Sequence, residues 1–136
     1  MTDLELMHSA VDARRFAYAP YSDFYVGAAL LCKNGKVYTG CNIENASYSP
    51  TNCAERTAFF KAISEGEREF SAIAVVGGKG EDLSSVCTPC GVCRQVMAEF
   101  CGKEFRILLG TPEKYESYSL QELLPMSFCL NEGCDR

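Results

Sequence analysis

Cys53-Ala54-Glu55, read together with Pro89-Cys90-Gly91-Val92-Cys93, decides how the rest of this chain must fold. One cysteine stands two residues before a glutamate, and a Cys-x-x-Cys pair follows Pro89. The two halves are separated by 90 − 53 = 37 positions. Brought together, three thiols and one carboxylate make a zinc site with an open fourth position and an acid/base group beside it. The fold therefore has to deliver two distant segments to one point.

Other readings use parts of the same residues. Cys87, three residues before Cys90, could supply a fourth thiol and close a structural zinc. Cys90-Gly91-Val92-Cys93 opening a helix also suits a redox pair. Glu55 could be a plain helix cap reaching back to the Asn52 amide. Only a catalytic zinc uses Cys53 and Glu55 together.

The flanking sequence shows how the halves could meet. A helix is expected from about Asn52 to Glu65, with Ala58, Phe59, Ala62 and Ile63 as its buried stripe and Gly66 closing it. A second runs from Pro89 to Cys101 through Val92, Val96, Met97 and Phe100, ending at Gly102. Between them lie a buried-type strand, Ser71 to Val76, and a glycine-rich loop, Gly77 to Ser85. Two helices flanking one strand place their N-termini at one end of the sheet, in the crevice where open α/β sheets bind ligands. Helical side chains lean toward the N-terminus, and the positive helix end favours thiolate over thiol. Three thiolates on Zn²⁺ still leave a net charge of −1, which weakens the Lewis acid. Arg56 is the candidate to offset it through hydrogen bonds to sulfur, with Arg94 as second choice.

Outward from this centre, Thr2 to Ala17 reads as a capped helix with Leu6, Met7, Ala10, Val11, Ala13 and Ala17 on its apolar side. It carries His8, the sole histidine, flanked by Glu5 and Asp12 at the spacing of a weak metal site; with no second histidine or nearby cysteine to complete a motif, it reads as an exposed or half-buried helix residue. Phe24 to Cys32 and Val37 to Cys41 form an antiparallel hairpin about Asn34-Gly35. Phe105 to Leu109 is the next strand, and Lys114 to Tyr118 follows too closely for a parallel crossover, so it runs antiparallel. Ser119 and Glu122 cap a short helix ending at Pro125, and the tail from Met126 shows no pattern. The order implies a three-layer α/β/α domain spanning 1–136. Its mixed five-stranded sheet has an N-terminal antiparallel hairpin and an antiparallel last strand.

Composition narrows the class. Hydrophobic residues at 47% and charged residues at 23% describe an ordinary globular chain. No apolar run spans a bilayer, and the acids in Met1-Thr2-Asp3-Leu4-Glu5 do not suit a signal peptide, so a cytoplasmic location without membrane contact is expected. Nine cysteines, an odd number without signs of export, read as reduced thiols with some on metal. A net charge of −5 with scattered basic residues argues against nucleic acid and for a small uncharged substrate.

Three stretches carry a resemblance: Cys53-Ala54-Glu55-Arg56-Thr57-Ala58, Pro89-Cys90-Gly91-Val92-Cys93-Arg94-Gln95 and Asn42-Ile43-Glu44-Asn45-Ala46-Ser47-Tyr48. The chain resembles the cytidine deaminases, in their small homotetrameric, zinc-dependent form. The similarity runs from Tyr18-Ala19-Pro20-Tyr21-Ser22 to Glu122-Leu123-Leu124-Pro125. It implies one zinc per subunit on Cys53, Cys90 and Cys93, with Glu55 moving protons. The implied reaction turns cytidine and 2′-deoxycytidine into the uridine products and ammonia, in pyrimidine salvage. It also implies Asn42 and Glu44 on the ribose hydroxyls, Phe24 against the pyrimidine and the Ala54 amide on the base carbonyl. Tyr48 and Phe128 are then expected at sites shared between subunits. Taken without the resemblance, Phe24 and Phe128 could be core residues, and Asn42 and Glu44 ordinary loop residues. Cys87 departs from the usual pattern of that family. A deaminase of another small aminopyrimidine is the nearest rival, and a non-catalytic zinc or nucleic-acid module is the rival of a different class.

Overall fold

Phe24–Cys32 (β1) is apolar on both faces, and both faces become covered. In the computed structural model, which describes residues 1–83 and 85–130, β1 turns at Asn34-Gly35 into Val37–Cys41 (β2). Gly35 takes φ +93°, the left-handed backbone this turn requires, and the Asn34 side chain accepts from the Lys36 amide at 3.0 Å. The hairpin pairs antiparallel from Gly27↔Cys41 to Leu31↔Val37.

Phe70–Lys79 (β3) lies antiparallel on the other side of β1. Arg106–Thr111 (β4) runs parallel to β3, and Lys114–Ser119 (β5) runs antiparallel to β4. The sheet order is β2-β1-β3-β4-β5, the mixed five-stranded arrangement expected. Asp3–Arg14 (α1) covers one face. Ala54–Ser64 (α2), Gly91–Phe100 (α3) and Leu120–Leu123 (α4) cover the other.

The two faces pack differently. Toward α1 the sheet offers Ala29, Ala72, Ala74 and Val76, small residues that let the helix come close to the backbone. At Gly27 a Cβ would lie 2.0 Å from the Ala10 carbonyl, so only glycine permits this approach. The opposite face presents Leu30, Ile73, Val75 and Ile107 to a cluster of rings around Phe59. The Phe59 ring meets Phe70 edge-on at 5.1 Å between centroids and stacks near Phe100 at 6.5 Å. Gly40 of β2 matters most for the site, because α2 starts directly on it. A Cβ there would lie 2.4 Å from the Ala54 carbonyl and 2.5 Å from the Ala58 amide.

Several expectations change. α1 ends at Arg14 and not Ala17. β3 continues through Gly77, Gly78 and Lys79, which pair with Val26, Tyr25 and Phe24. These glycines belong to a strand crossed closely by other chain, since Cys87 Sγ and the Asp82 carbonyl occupy the space of their missing side chains. On α3 the inward residues are Cys93, Met97 and Ala98, whereas Val92 is 57% exposed. Cys32, Cys41, Cys53, Cys87, Cys90, Cys93 and Cys101 are not in disulfides. Cys129 is in a disulfide, so full reduction does not hold in the tail. Cys134 lies outside the described residues. His8 is exposed on α1, and no described helix is long and apolar enough to cross a membrane.

Candidate active site

Two helix starts converge. Cys53 is the N-cap of α2 and Cys90 the N-cap of α3, both with extended backbone and neither making a side-chain cap hydrogen bond. Cys93 follows one turn into α3. The Sγ atoms of Cys53 and Cys90 are 3.9 Å apart, and those of Cys90 and Cys93 3.6 Å. All three fall within 4.8 Å of one another. Tetrahedral zinc with Zn–S bonds of about 2.3 Å sets its sulfurs about 3.8 Å apart, so the donors fit that ion in spacing and in chemistry. Among the described residues no other group of three His, Cys, Asp or Glu converges in this way. Cys87 is not in the cluster, so three thiols and no fourth converge among the described residues.

Of the clustered thiols, the surroundings favour Cys53 as the anion. Hydrogen bonding from Cys93, and then from Arg56, brings the Cys53 thiol down to about 5. The same hydrogen bond to Cys53, together with burial, pushes Cys93 well above the usual thiol range. Arg56 Nη2 donates to Cys53 Sγ at 3.2 Å, and this contact raises the guanidinium further. Arg56 Nε is buried without a partner. The second candidate, Arg94, is engaged elsewhere. Its Nε donates to the Pro89 carbonyl at 2.8 Å and its Nη1 to the Leu123 carbonyl at 2.6 Å. It ties the start of α3 to the end of α4 and leaves the sulfurs to Arg56.

Glu55 is 4% exposed, the one buried charged residue among the described residues. Burial pushes its carboxyl up to about 7, with its own backbone amide pulling the other way. The helix-cap alternative fails because the Asn52 amide donates to the Ile43 carbonyl at 2.9 Å. The Asn52 side chain donates to Thr57 Oγ1 at 3.2 Å. Glu55 is therefore free to face the cleft.

That cleft has a volume of about 180 Å³. Cys53, Ala54, Glu55 and Cys90 line one side, and Asn42 and Glu44 come from the segment after β2. The polar stretch expected at the substrate and the metal half-sites thus meet. Asn42 is already engaged, as its Oδ1 accepts from the Val26 amide at 2.9 Å and its Nδ2 donates to the Phe24 carbonyl at 2.8 Å. One Nδ2 hydrogen and one Oδ1 lone pair are left. Glu44 Oε1 accepts from the Tyr21 and Ser22 amides at 2.9 and 3.2 Å, and Oε2 accepts from the Ser22 hydroxyl. These bonds, the hydroxyl first, hold the carboxyl below its ordinary range, so it is a fixed anion.

Three expected residues stand apart from the cleft. Phe24 packs against the edge of the core, and Val26, two residues on, lines the cleft instead. Tyr48 is 76% exposed at φ +63° and borders a neighbouring groove that shares Glu44 and Thr51. Phe128 is 67% exposed, and its carbonyl accepts from Gln95 Nε2 at 3.1 Å. Sequence reasoning missed Val26, Thr51 and Thr88 as lining residues. Val26 gave only an ordinary strand signal, and the threonines gave none. Cys87 lines the cleft as a neutral thiol, pushed up to about 12 by burial.

The sequence profile of the cytidine and deoxycytidylate deaminase zinc-binding region matches residues 1–109. A cytidine deaminase of Halalkalibacterium halodurans is 53% identical over 131 residues, covering 96% of each chain. One from Sporosarcina psychrophila is 50% identical over 125 residues, covering 91% of this chain and 89% of its own. The solved cytidine deaminase of Burkholderia pseudomallei superposes with a TM-score of 0.86 at 48% identity, over 94% of this chain and 100% of that one. With that profile matching residues 1–109 and a relative 53% identical over nearly its whole length, this chain belongs to the zinc-dependent cytidine deaminase family.

Proposed function

We propose that this chain hydrolyses the 4-amino group of cytidine and 2′-deoxycytidine, giving uridine, 2′-deoxyuridine and ammonia, as a single domain working in pyrimidine salvage in the cytoplasm. The observation that carries the reading is the buried Glu55 carboxyl, which lines the same cleft as the sulfurs of Cys53 and Cys90 and the anion of Glu44.

Zinc held by Cys53, Cys90 and Cys93 supplies the Lewis acidity that makes water a nucleophile near neutral pH. Arg56 offsets the surplus charge of three thiolates by donating to Cys53. Glu55 is buried beside the sulfurs, where burial raises its carboxyl above the ordinary glutamate range and suits it to accept and return a proton. It passes one proton of the water to the ring nitrogen, where the uridine product keeps it, and the second, from the hydroxyl added at C4, to the amine as the C4–N bond breaks. The Ala54 amide, in the first turn of α2, points a donor at the base carbonyl. Glu44 accepts from ribose hydroxyls, and Asn42 uses its remaining hydrogen and lone pair beside it. The cleft lining includes two carboxylates and no Lys or Arg, so a 5′-phosphate would find no counter-charge. That supports nucleosides over nucleotides. The exposed Tyr48 and Phe128 suit contacts to a neighbouring subunit in a homotetramer, and Phe24 would need to turn from the core edge to meet the base.

One assay tests the reading. Cytidine, 2′-deoxycytidine, deoxycytidylate and single-stranded DNA are incubated with the protein, and ultraviolet change and ammonia are followed, with chelator and then zinc added back. Turnover of the nucleosides alone, lost and restored with the metal, is expected. Turnover of the nucleotide at equal efficiency, or none on the nucleosides, would overturn the reading.

A further inference from the structure

Arg14, in the last turn of α1, is far in sequence from both metal half-sites. The structure gives it another position. Its Nε donates to the Tyr25 carbonyl of β1 at 2.7 Å. Its Nη2 donates to the Gly78 carbonyl of β3 at 2.8 Å and to the Gly80 carbonyl, with the Asp82 carbonyl at a weaker 3.4 Å. One guanidinium thus joins a helix, two strands and the start of the connection that leads from β3 to α3.

Three glycines make the arrangement possible. Gly27 lets the last turn of α1 lie on β1, since a Cβ there would be 2.6 Å from the Arg14 amide. Gly78 lets the connection fold back over the strand end, since a Cβ would meet the Asp82 carbonyl at 1.7 Å. Gly77 receives Cys87, whose Sγ would be 2.9 Å from a Cβ. The connection is therefore pinned twice before it reaches the site. Backbone bonds from Gly80 to the Asp23 carbonyl (3.1 Å) and from Asp82 to the Lys79 carbonyl (2.9 Å) tighten the first pin. Beyond the second pin come Thr88, lining the cleft, and Cys90, a metal ligand.

We propose that Arg14 is a positioning residue for the Cys90–Cys93 half of the metal site: by gathering the carbonyls of Tyr25, Gly78 and Gly80 it sets where the β3–α3 connection delivers Cys87, Thr88 and Cys90. Arginine is required because its planar fork offers five donors at fixed angles, where a lysine ammonium is a point charge with three rotating ones. Burial lowers the Arg14 pKa, and the nearby carboxyl groups of Asp82 and Glu81 pull it the other way. The inference rests on the metal-site reading above, but its main test does not need turnover of any nucleoside.

The test compares Arg14→Lys and Arg14→Met with Arg106→Lys. Arg106 makes the other tie of α1, a two-point pair to Asp3 at 2.8 and 3.0 Å at the far end of the sheet. Three readouts are taken on zinc-loaded protein: transfer of zinc to a chromogenic chelator, amide hydrogen exchange over residues 85–93, and KM against kcat. Both Arg14 variants should release zinc about tenfold faster, as when other supporting contacts of a metal site are lost. They should also exchange faster over 85–93 and raise KM more than they lower kcat. Arg106→Lys should lower the melting temperature without changing zinc release or KM. Wild-type zinc release in a folded Arg14→Met, or equal release from Arg106→Lys, would overturn the proposal. Failure of both Arg14 variants to fold would overturn it as well, by making Arg14 a determinant of the whole fold. If the nucleoside assay fails while zinc release responds as stated, the substrate reading falls and the positioning role remains.

Discussion

Arg56 Nη2 donates to Cys53 Sγ at 3.2 Å, while its Nε stays buried and unpartnered. The side chain gives up a hydrogen bond to keep its charge at the sulfur. Arg56→Ala should therefore weaken zinc binding about 10–100-fold, the usual effect of removing such a support. In metal-free protein the same change should move the Cys53 alkylation midpoint upward, since the Arg56 contact helps hold that thiol below its ordinary range. Competition with a calibrated chelator and a pH series of alkylation measure the two effects. Unchanged zinc affinity would remove Arg56 from the metal site.

Glu55→Gln keeps shape and burial but cannot carry a proton between water, ring and amine. The kcat for cytidine should fall about 10²–10⁴-fold, the range of general acid–base catalysis, with one zinc still bound per chain by elemental analysis. Loss of the metal along with activity would assign Glu55 to site assembly instead.

The titration of Glu55 should also appear in stability. Burial holds its carboxyl at about 7 in the folded metal-free protein, against 4.5 for an exposed glutamate. A carboxyl whose folded pKa lies above its unfolded value keeps its proton longer in the folded state. Its contribution to stability is therefore fully present below 4.5, is lost as pH rises through about 7, and changes no further above. Glu55→Gln has no such titration. The melting-temperature advantage of metal-free Glu55→Gln over metal-free wild type should be smallest at pH 4.5, grow to pH 7 and then level. Calorimetry of both proteins across this range checks it, and a constant difference would show that the carboxyl is not buried in solution.

Glu44→Ala should raise KM for cytidine about 10–100-fold, the loss expected for hydrogen bonds to a charged group, and leave zinc content unchanged. Glu44→Gln should fall between, because an amide oxygen can still accept from Tyr21 and Ser22. Steady-state kinetics with zinc analysis on each variant decide the matter.

Gly40→Ala would place a methyl 2.4 Å from one α2 backbone atom and 2.5 Å from another, so the helix itself must move. A destabilisation of about 1–3 kcal/mol is expected from such overpacking. Because α2 carries Cys53, zinc should also be held less tightly. Chemical denaturation and chelator competition give the two numbers.

Much of this architecture was legible from residue pattern. Asn34-Gly35 between two apolar runs gave both strands of the hairpin to the residue, and the short Gly110-to-Glu113 link correctly required an antiparallel β5. Local pattern failed where a distant chain set the local structure. Gly77 and Gly78 look like loop residues until Cys87 and Asp82 are seen crossing them. Val92 fits an apolar helix stripe, but Cys93 must face α2, and that rotates Val92 outward. The convergence of Cys53, Cys90 and Cys93 was readable because cysteines at such spacing have few uses. The roles of Arg14, Val26 and Thr88 were not, since nothing in their own neighbourhood distinguishes them.

The two uncapped helix starts set a conflict inside this molecule. A serine or aspartate at position 53 or 90 would give either helix the hydrogen-bonded beginning it lacks, a gain of typically about 1 kcal/mol over an uncapped start. Either change would also remove a sulfur. Any screen that selects this protein for thermal robustness alone, without metal in the medium, should therefore drift toward Cys53→Ser and Cys90→Ser and return sturdier proteins that no longer catalyse anything.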